Sequence, residues 1–560
     1  LILSAASCLA GSNAFAVSCS VTHHEPPSEA DTALMAADFA KAASLYQAGL
    51  AAHPGDATLT AGMVHALLRQ QKVQEAADQV KASLAAAPNS AALISLRGEV
   101  ELRQGAPWLA GNSAVEAEKI DPCNPRNHLL LANLERLSSL YASSRTELKT
   151  AHQLDPEDAE IRAQWIRTLP LKARIEETEA YLSAPRGNDE EDARHWQLYL
   201  ENLKKLAAEP VKPCRLVSTT ETAEIPFIAL MRDGAHIRAF GLEVALNGHK
   251  SRLQIDTGAG GLLVSRSVAE HAGLKPFSQT EMSGIGDQGY KPGYSAYADT
   301  IHIGSLEFQN CPVRVVDSRS VMGETDGLIG MDVFASFLVT LDYPMRKLLL
   351  GPLPPRPGET AVPAPTLKTG DADREDPEAS SEASAKDGQG DKPGEAGVSP
   401  GNGDAAQKTV VHGPYDRYVA PEMKSYTPIY RVGHNLLIPA SLNDSARKLF
   451  ILDTGSWTTV VSPQAAREVT KVHSEDQIKV HGISGEVEKV YTADDITFRF
   501  ANLSQKGRNV VSFDTSRVSK NSGMEVSGFI GATTLGQLTV RIDYRDGLVK
   551  FDYDPNRGYR

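Results

Sequence analysis

The chain is short of positive charge, aromatic residues, cysteine and long apolar runs. Its 560 residues carry 57 Lys and Arg against 70 Asp and Glu, a formal charge of −13. That deficit argues against a nucleic-acid-binding surface, which needs clustered cations to meet phosphates. No apolar stretch after the N-terminal segment reaches the roughly 18 residues needed for a spanning helix. Aromatic residues make up 6% of the chain, and five cysteines are spread thinly. Cys19, Cys123, Cys214 and Cys311 lie too far apart for a zinc site, which favours short Cys-x-x-Cys spacings. They allow three disulfide pairings, or buried free thiols, and the sequence does not choose. HExxH, GxSxG and phosphate-binding GxxxxGK[ST] patterns are absent too.

What is present begins with "LILSAASCLAGSNAFAVS". This reads as the apolar core of a secretory signal, residues 1–16, with Ala14-Phe15-Ala16 as a small-x-small cleavage site. The expected location is periplasmic or secreted. Cys8 and Cys19 each follow small residues, as the modified cysteine of a lipoprotein would, but neither has a leucine three positions before it.

Prolines then recur at 54, 88, 122 and 156, always 34 residues apart. Twelve residues before them stand Ala42, Ala76, Ala110 and Ser144; eight before stand Tyr46, Val80, Ala114 and Leu148. Small and large positions in fixed register describe helices packing on neighbours. The pattern resembles the tetratricopeptide repeat, a helix-turn-helix unit of this length. It implies an all-α solenoid over residues 32–210, with capping helices in "DAEIRAQWIRTL" and "DARHWQLYLENLKKLAAEP", and a surface for a protein partner.

From about residue 215 the texture changes to short β-rich runs. Residues 353–413 hold no aromatic residue and are crowded with Pro, Gly, Ala, Ser, Asp and Glu. Such a stretch cannot bury enough apolar area to offset its ordering entropy, so 354–413 is expected to be a disordered linker. The β-rich texture then returns for 414–560.

The two β-rich segments repeat one motif. "LQIDTGAGGLLVS" (253–265) and "LFILDTGSWTTVVS" (449–462) each place Asp-Thr-Gly between apolar runs. Strand interiors disfavour Asp and Gly, so each triplet breaks a local rule, as functional sites do. Downstream, Leu328-Ile329-Gly330 and Phe529-Ile530-Gly531 follow the acids, with 74 residues from Asp256 to Gly330 and 78 from Asp453 to Gly531. Glycine-rich turns, "MSGIGDQGY" and "VHGISGEV", lie between.

These residues resemble the aspartic proteases, specifically the retropepsin-like lobe, present twice: residues 226–353 and 426–553. The resemblance implies an all-α tetratricopeptide solenoid followed by two all-β retropepsin-like lobes. It also implies an aspartic endopeptidase that takes a polypeptide substrate and requires neither metal nor cofactor. Asp256 and Asp453 would share one proton and activate water. Gly258 and Gly455 would let backbone N–H groups approach the acids, while Thr257 and Thr454 would exchange hydrogen bonds between lobes. Ser456 could bond the outer oxygen of Asp453, which Ala259 cannot do for Asp256. Gly284-Ile285-Gly286 and Gly482-Ile483 fit the flap position, a hairpin over the substrate, with His481 at a flap base or on the surface. "GIGDQG" at 284–289 also satisfies G-x-G-x-x-G, but Pro292 and Gly293 oppose the helix that a dinucleotide site needs. Two alternatives remain: a catalytically silent peptide-binding or assembly protein, and lobes paired between different chains.

Overall fold

In a computed structural model of the chain, the described residues are 19–184, 187–210, 212–231, 236–316, 325–357 and 416–556. The 1–16 signal segment and residues 358–413 of the expected linker lie outside them. A helical-repeat region comes first and a β-rich region follows.

Eight helices form four antiparallel pairs: α1 (Glu29–Met35), α2 (Phe39–Ala52), α3 (Ala57–Arg69), α4 (Val73–Ala86), α5 (Ala91–Arg103), α6 (Pro107–Ile120), α7 (Pro125–Leu137) and α8 (Tyr141–Leu154). Two residues after each periodic proline comes a residue whose side chain accepts from the first turn of the next helix: Asp56, Ser90, Asn124 and Asp158. Each such cap stabilises its helix by about 1 kcal/mol. Within each pair the chain reverses through a left-handed residue, again 34 apart: Ala37, Gln71, Gly105 and Ser139. The periodic small residues close the packing, since Ala42, Ala76 and Ala110 are wholly buried and Ser144 nearly so. Three more helices complete the array: α9 (Ala159–Ile166), α10 (Leu171–Leu182) and α11 (Glu190–Ala208). No helix among the described residues is long and apolar enough to cross a membrane.

The β-rich region begins near Arg215, where the sequence texture changes, and the first unit includes a strand before the lobe boundary expected at 226: Arg215–Leu216 pairs with Phe308 and Gln309 beside a Cys214–Cys311 disulfide. A second disulfide joins Cys19 to Cys123, which selects one of the three pairings left open by the sequence. Two β-units share one topology. In the first, His249–Ile255 forms a hairpin with Ile237–Leu246 and runs into Asp256. Gly327–Ile329 lies parallel to that strand and antiparallel to Leu262–Ser265. In the second, Lys448–Leu452, Asn435–Leu442, Gly528–Ile530 and Val460–Val461 repeat the arrangement.

The units join through a six-stranded sheet to which each gives three strands. At its centre Leu338–Asp342 pairs antiparallel with Thr539–Asp543, Thr340 facing Arg541. One apolar core runs through both units without a break, from Leu216 to Phe551.

Candidate active site

The geometry of each Asp-Thr-Gly loop follows from its sheet. The N–H of Asp256 donates to the Ile329 carbonyl and that of Asp453 to the Ile530 carbonyl, both at 3.0 Å. Each acid therefore leaves its strand at the point where a third, inserted strand supports it. The loops meet across the seam between the units. Thr257 N–H donates to the Thr454 hydroxyl at 3.1 Å, and Thr454 N–H to the Thr257 hydroxyl at 3.0 Å. The hydroxyls donate onward to the Leu452 and Ile255 carbonyls at 2.7 and 3.2 Å.

This exchange brings Asp256 and Asp453 into hydrogen-bond contact. Both carboxyls are buried, with 9% and 7% of the residues exposed. A Cβ on Gly455 would stand 2.4 Å from the Asp256 carboxyl, and one on Gly258 2.9 Å from that of Asp453. Each glycine thus makes room for the acid of the opposite unit.

The two acids are not equivalent. Asp453 Oδ1 accepts the N–H groups of Gly455 at 2.9 Å and Ser456 at 3.0 Å. Asp256 Oδ1 accepts Gly258 N–H at 2.8 Å. The Ser456 hydroxyl turns away and donates to the Thr458 carbonyl at 2.9 Å, so serine reaches Asp453 through its backbone and not through the expected hydroxyl. Burial, then the neighbouring Asp453, hold Asp256 well above the usual carboxylate range. Burial also raises Asp453, but the Ser456 N–H, the hydrogen bond from Asp256, the Gly455 N–H and His434 pull it back. The two carboxyls therefore favour a single charge between them, and the N–H groups of Gly455 and Ser456 together with His434 favour that charge on Asp453. Such a pair can accept a proton from one group while donating one to another.

The expected flap residues also come together. Gly284 N–H donates to the Ser484 hydroxyl at 3.1 Å, and Ser484 N–H to the Ile285 carbonyl at 3.0 Å. Gly286 and Gly482 lie against Ser484 and Ile285 respectively. The isoleucines cross over. Ile285 packs on an apolar cluster of the second unit that contains Phe529, and Ile483 on one of the first that contains Leu328. His481 is exposed in the short hairpin leading to Gly482. Tyr290 points away from the turn toward α11, with its ring 4.8 Å from that of His195.

Two residues at the site escaped the sequence reading. Asp332 is buried, accepts Gly261 N–H at 2.8 Å, and is raised by burial against the nearby His434, Arg314 and Arg431. Its signal was an acid inside the apolar run "LIGMDVF". His434, in the hairpin turn of the second unit, donates from Nε2 to the Gly258 carbonyl at 3.1 Å. Gln254 makes the converse contact, donating to the Gly455 carbonyl at 3.4 Å. Each loop is therefore held by side chains from both units.

Residues 242–333 match the family model for an aspartyl protease, and residues 33–100 the model for a tetratricopeptide repeat. The first match contains Asp256, its Thr-Gly, Gly284–Gly286, and Leu328-Ile329-Gly330. No curated protein matches the chain. An aspartyl-protease domain and tetratricopeptide repeats are thus present in one polypeptide.

Proposed function

We propose that the protein is an aspartic endopeptidase whose two retropepsin-like lobes are fused in one chain, with Asp256 and Asp453 as its catalytic dyad. The observation that carries this reading is the buried carboxyl pair, held by reciprocal threonine bonds between loops of matching topology. Asp453, ionised, takes a proton from the attacking water while Asp256 gives its proton to the scissile carbonyl oxygen. Water adds to the carbonyl carbon to give a tetrahedral diol, whose C–N bond breaks as one diol hydroxyl returns its proton to Asp256 and the leaving amine takes the proton held by Asp453. Ser456 N–H and Gly455 N–H keep the charge on Asp453 in the resting pair.

The flap turns close over a polypeptide substrate, and the helical repeats hold a protein partner or present the substrate. A periplasmic or secreted location is supported by two disulfides, which persist in oxidising compartments. The test is a peptide-library digest across a range of pH, comparing the intact chain with Asp256→Asn. Cleavage by the wild type that the variant lacks is the expected result. Equal cleavage by both, or by neither, would refute the proposal.

A further inference from the structure

The last helix of the repeat region lies along one arm of the first flap. α11 and the strand Lys275–Met282 run antiparallel, meeting at three levels. At one end Arg194 Nη2 forms an ion pair with Glu281 Oε2 at 3.2 Å, and His195 Nε2 stands at the same distance from that oxygen. In the middle Asn202 Nδ2 donates to the Gln279 carbonyl at 3.2 Å. At the far end Lys205 Nζ lies 5.4 Å from the centre of the Phe277 ring. Arg194 to Lys205 spans about 16 Å at ~1.5 Å per helical residue. Phe277 to Glu281 spans about 13 Å of strand. The contacts therefore run along more than half of the arm.

The returning arm is held as well. The Tyr290 phenol is pushed up to about 12 by burial and by the charge of the nearby Glu191 carboxylate on α11. Its hydroxyl donates to Asn521 Oδ1 at 3.3 Å, and Asn521 Nδ2 donates to the Ser283 hydroxyl at 3.0 Å. Lys520 closes the ring of contacts by pairing with Glu191 at 3.1 Å. Glu191, Arg194, His195, Asn202 and Lys205 recur at helical spacing on one side of α11. The other side packs on the repeat region, where Arg167 lies over the Trp196 and Tyr199 rings and Arg69 pairs with Asp192.

We infer that α11 is a positioning element of the hydrolytic site, clasping the first flap so that the repeat array sets how readily the substrate gate opens. This rests on the aspartic-endopeptidase reading for its consequence, but the clasp can be measured without it. Glu281 and Tyr290 act through the flap and touch no reacting atom. Their work is to hold the turn Gly284–Gly286 against its counterpart at Ser484.

The experiment uses the full chain in four forms: wild type, Arg194→Glu, Glu281→Arg, and the double charge reversal. Amide hydrogen exchange is followed across residues 277–294, and peptide cleavage is measured in parallel. Each single reversal should speed exchange in the flap arms by roughly three- to tenfold, leaving the Asp256 and Asp453 loops protected. It should raise KM by about threefold or more while kcat changes less. The double reversal should restore protection. Tyr290→Phe, a milder change, should loosen the tip alone. Flap exchange at the wild-type rate in both single variants and in Tyr290→Phe would overturn the inference, as would failure of the double reversal to restore protection. A wild type that cleaves no peptide would sink the endopeptidase reading, and the exchange data would still decide the clasp.

Discussion

Thr257 and Thr454 each give a backbone N–H to the other's hydroxyl, so neither loop can shift without breaking a bond made by its counterpart. Both are almost fully buried. Replacing one by valine keeps the shape and leaves a buried N–H and a carbonyl without partners. Thr454→Val should lower stability by about 1–3 kcal/mol. It should also reduce cleavage by misaligning the acids. Denaturant unfolding together with kcat checks both, and an unchanged midpoint would show that the exchange carries no stabilising load.

The dyad predicts an exchange of stability for activity. The folded Asp256 carboxyl is raised above its unfolded value, so the native state binds a proton that the unfolded chain releases. Its favourable contribution is complete below the unfolded value near pH 4, and is lost as pH rises toward the folded value. Asp256→Asn has no such proton to lose and retains an acceptor for Gly258 N–H. The variant should be inactive, and it should gain in melting temperature relative to wild type as pH is raised from 4 to 7. Parallel melting curves over that range would contradict a proton held within the folded pair.

His434 bears on the other acid. It donates to the Gly258 carbonyl and favours the ionised forms of Asp453 and, with Arg314 and Arg431, of Asp332. Removing the imidazole should raise Asp453, so that the singly ionised pair forms only at higher pH. The acid limb of the kcat/KM profile should therefore move upward in pH for His434→Ala. A profile that falls in height without moving would reduce His434 to a structural support.

Asp256→Asn and Asp453→Asn should each be inactive alone. If the site belongs to one chain, mixing the two variants restores nothing, since every chain lacks one acid. Specific activity of the wild type should also hold on dilution, whereas a site shared between chains would be lost by mass action. Recovery on mixing would establish the swapped arrangement.

The repeat region was readable because its packing is local. A 34-residue period fixes both the proline and the small residue twelve before it, and neighbouring repeats sit beside each other in sequence. The caps at Asp56, Ser90, Asn124 and Asp158 keep the same period, two residues after each proline. The Asp-Thr-Gly loops showed themselves by breaking strand rules twice in the same way. Asp332 and His434 did not, because their partners, Gly261 and Gly258, lie 71 and 176 residues away. Sequence separations of 104 and 97 residues likewise hid the disulfide pairing. The hydroxyl bond expected from Ser456 to Asp453 is replaced by a backbone one. A hydroxyl is free to rotate to the nearer Thr458 carbonyl, whereas the N–H is fixed by the turn. Tyr290 is placed by His195 of α11 and by Asn521 of the second unit, both remote in sequence.

The shared sheet has a further consequence. Thr427–Pro428, Leu548–Asp552 and Thr539–Asp543 come from one β-unit; Leu338–Asp342, Lys347–Gly351 and Ala223–Pro226 come from the other. Each half of the chain thus owns a complete three-stranded ribbon, and the halves are sewn together by main-chain hydrogen bonds along Leu338–Asp342. Nothing in that seam requires the polypeptide to be continuous between residues 357 and 416. Two separately expressed pieces, divided within that interval, should find each other and complete the sheet, as a split reporter does, because the ribbon edge left bare on each piece is the template for the other.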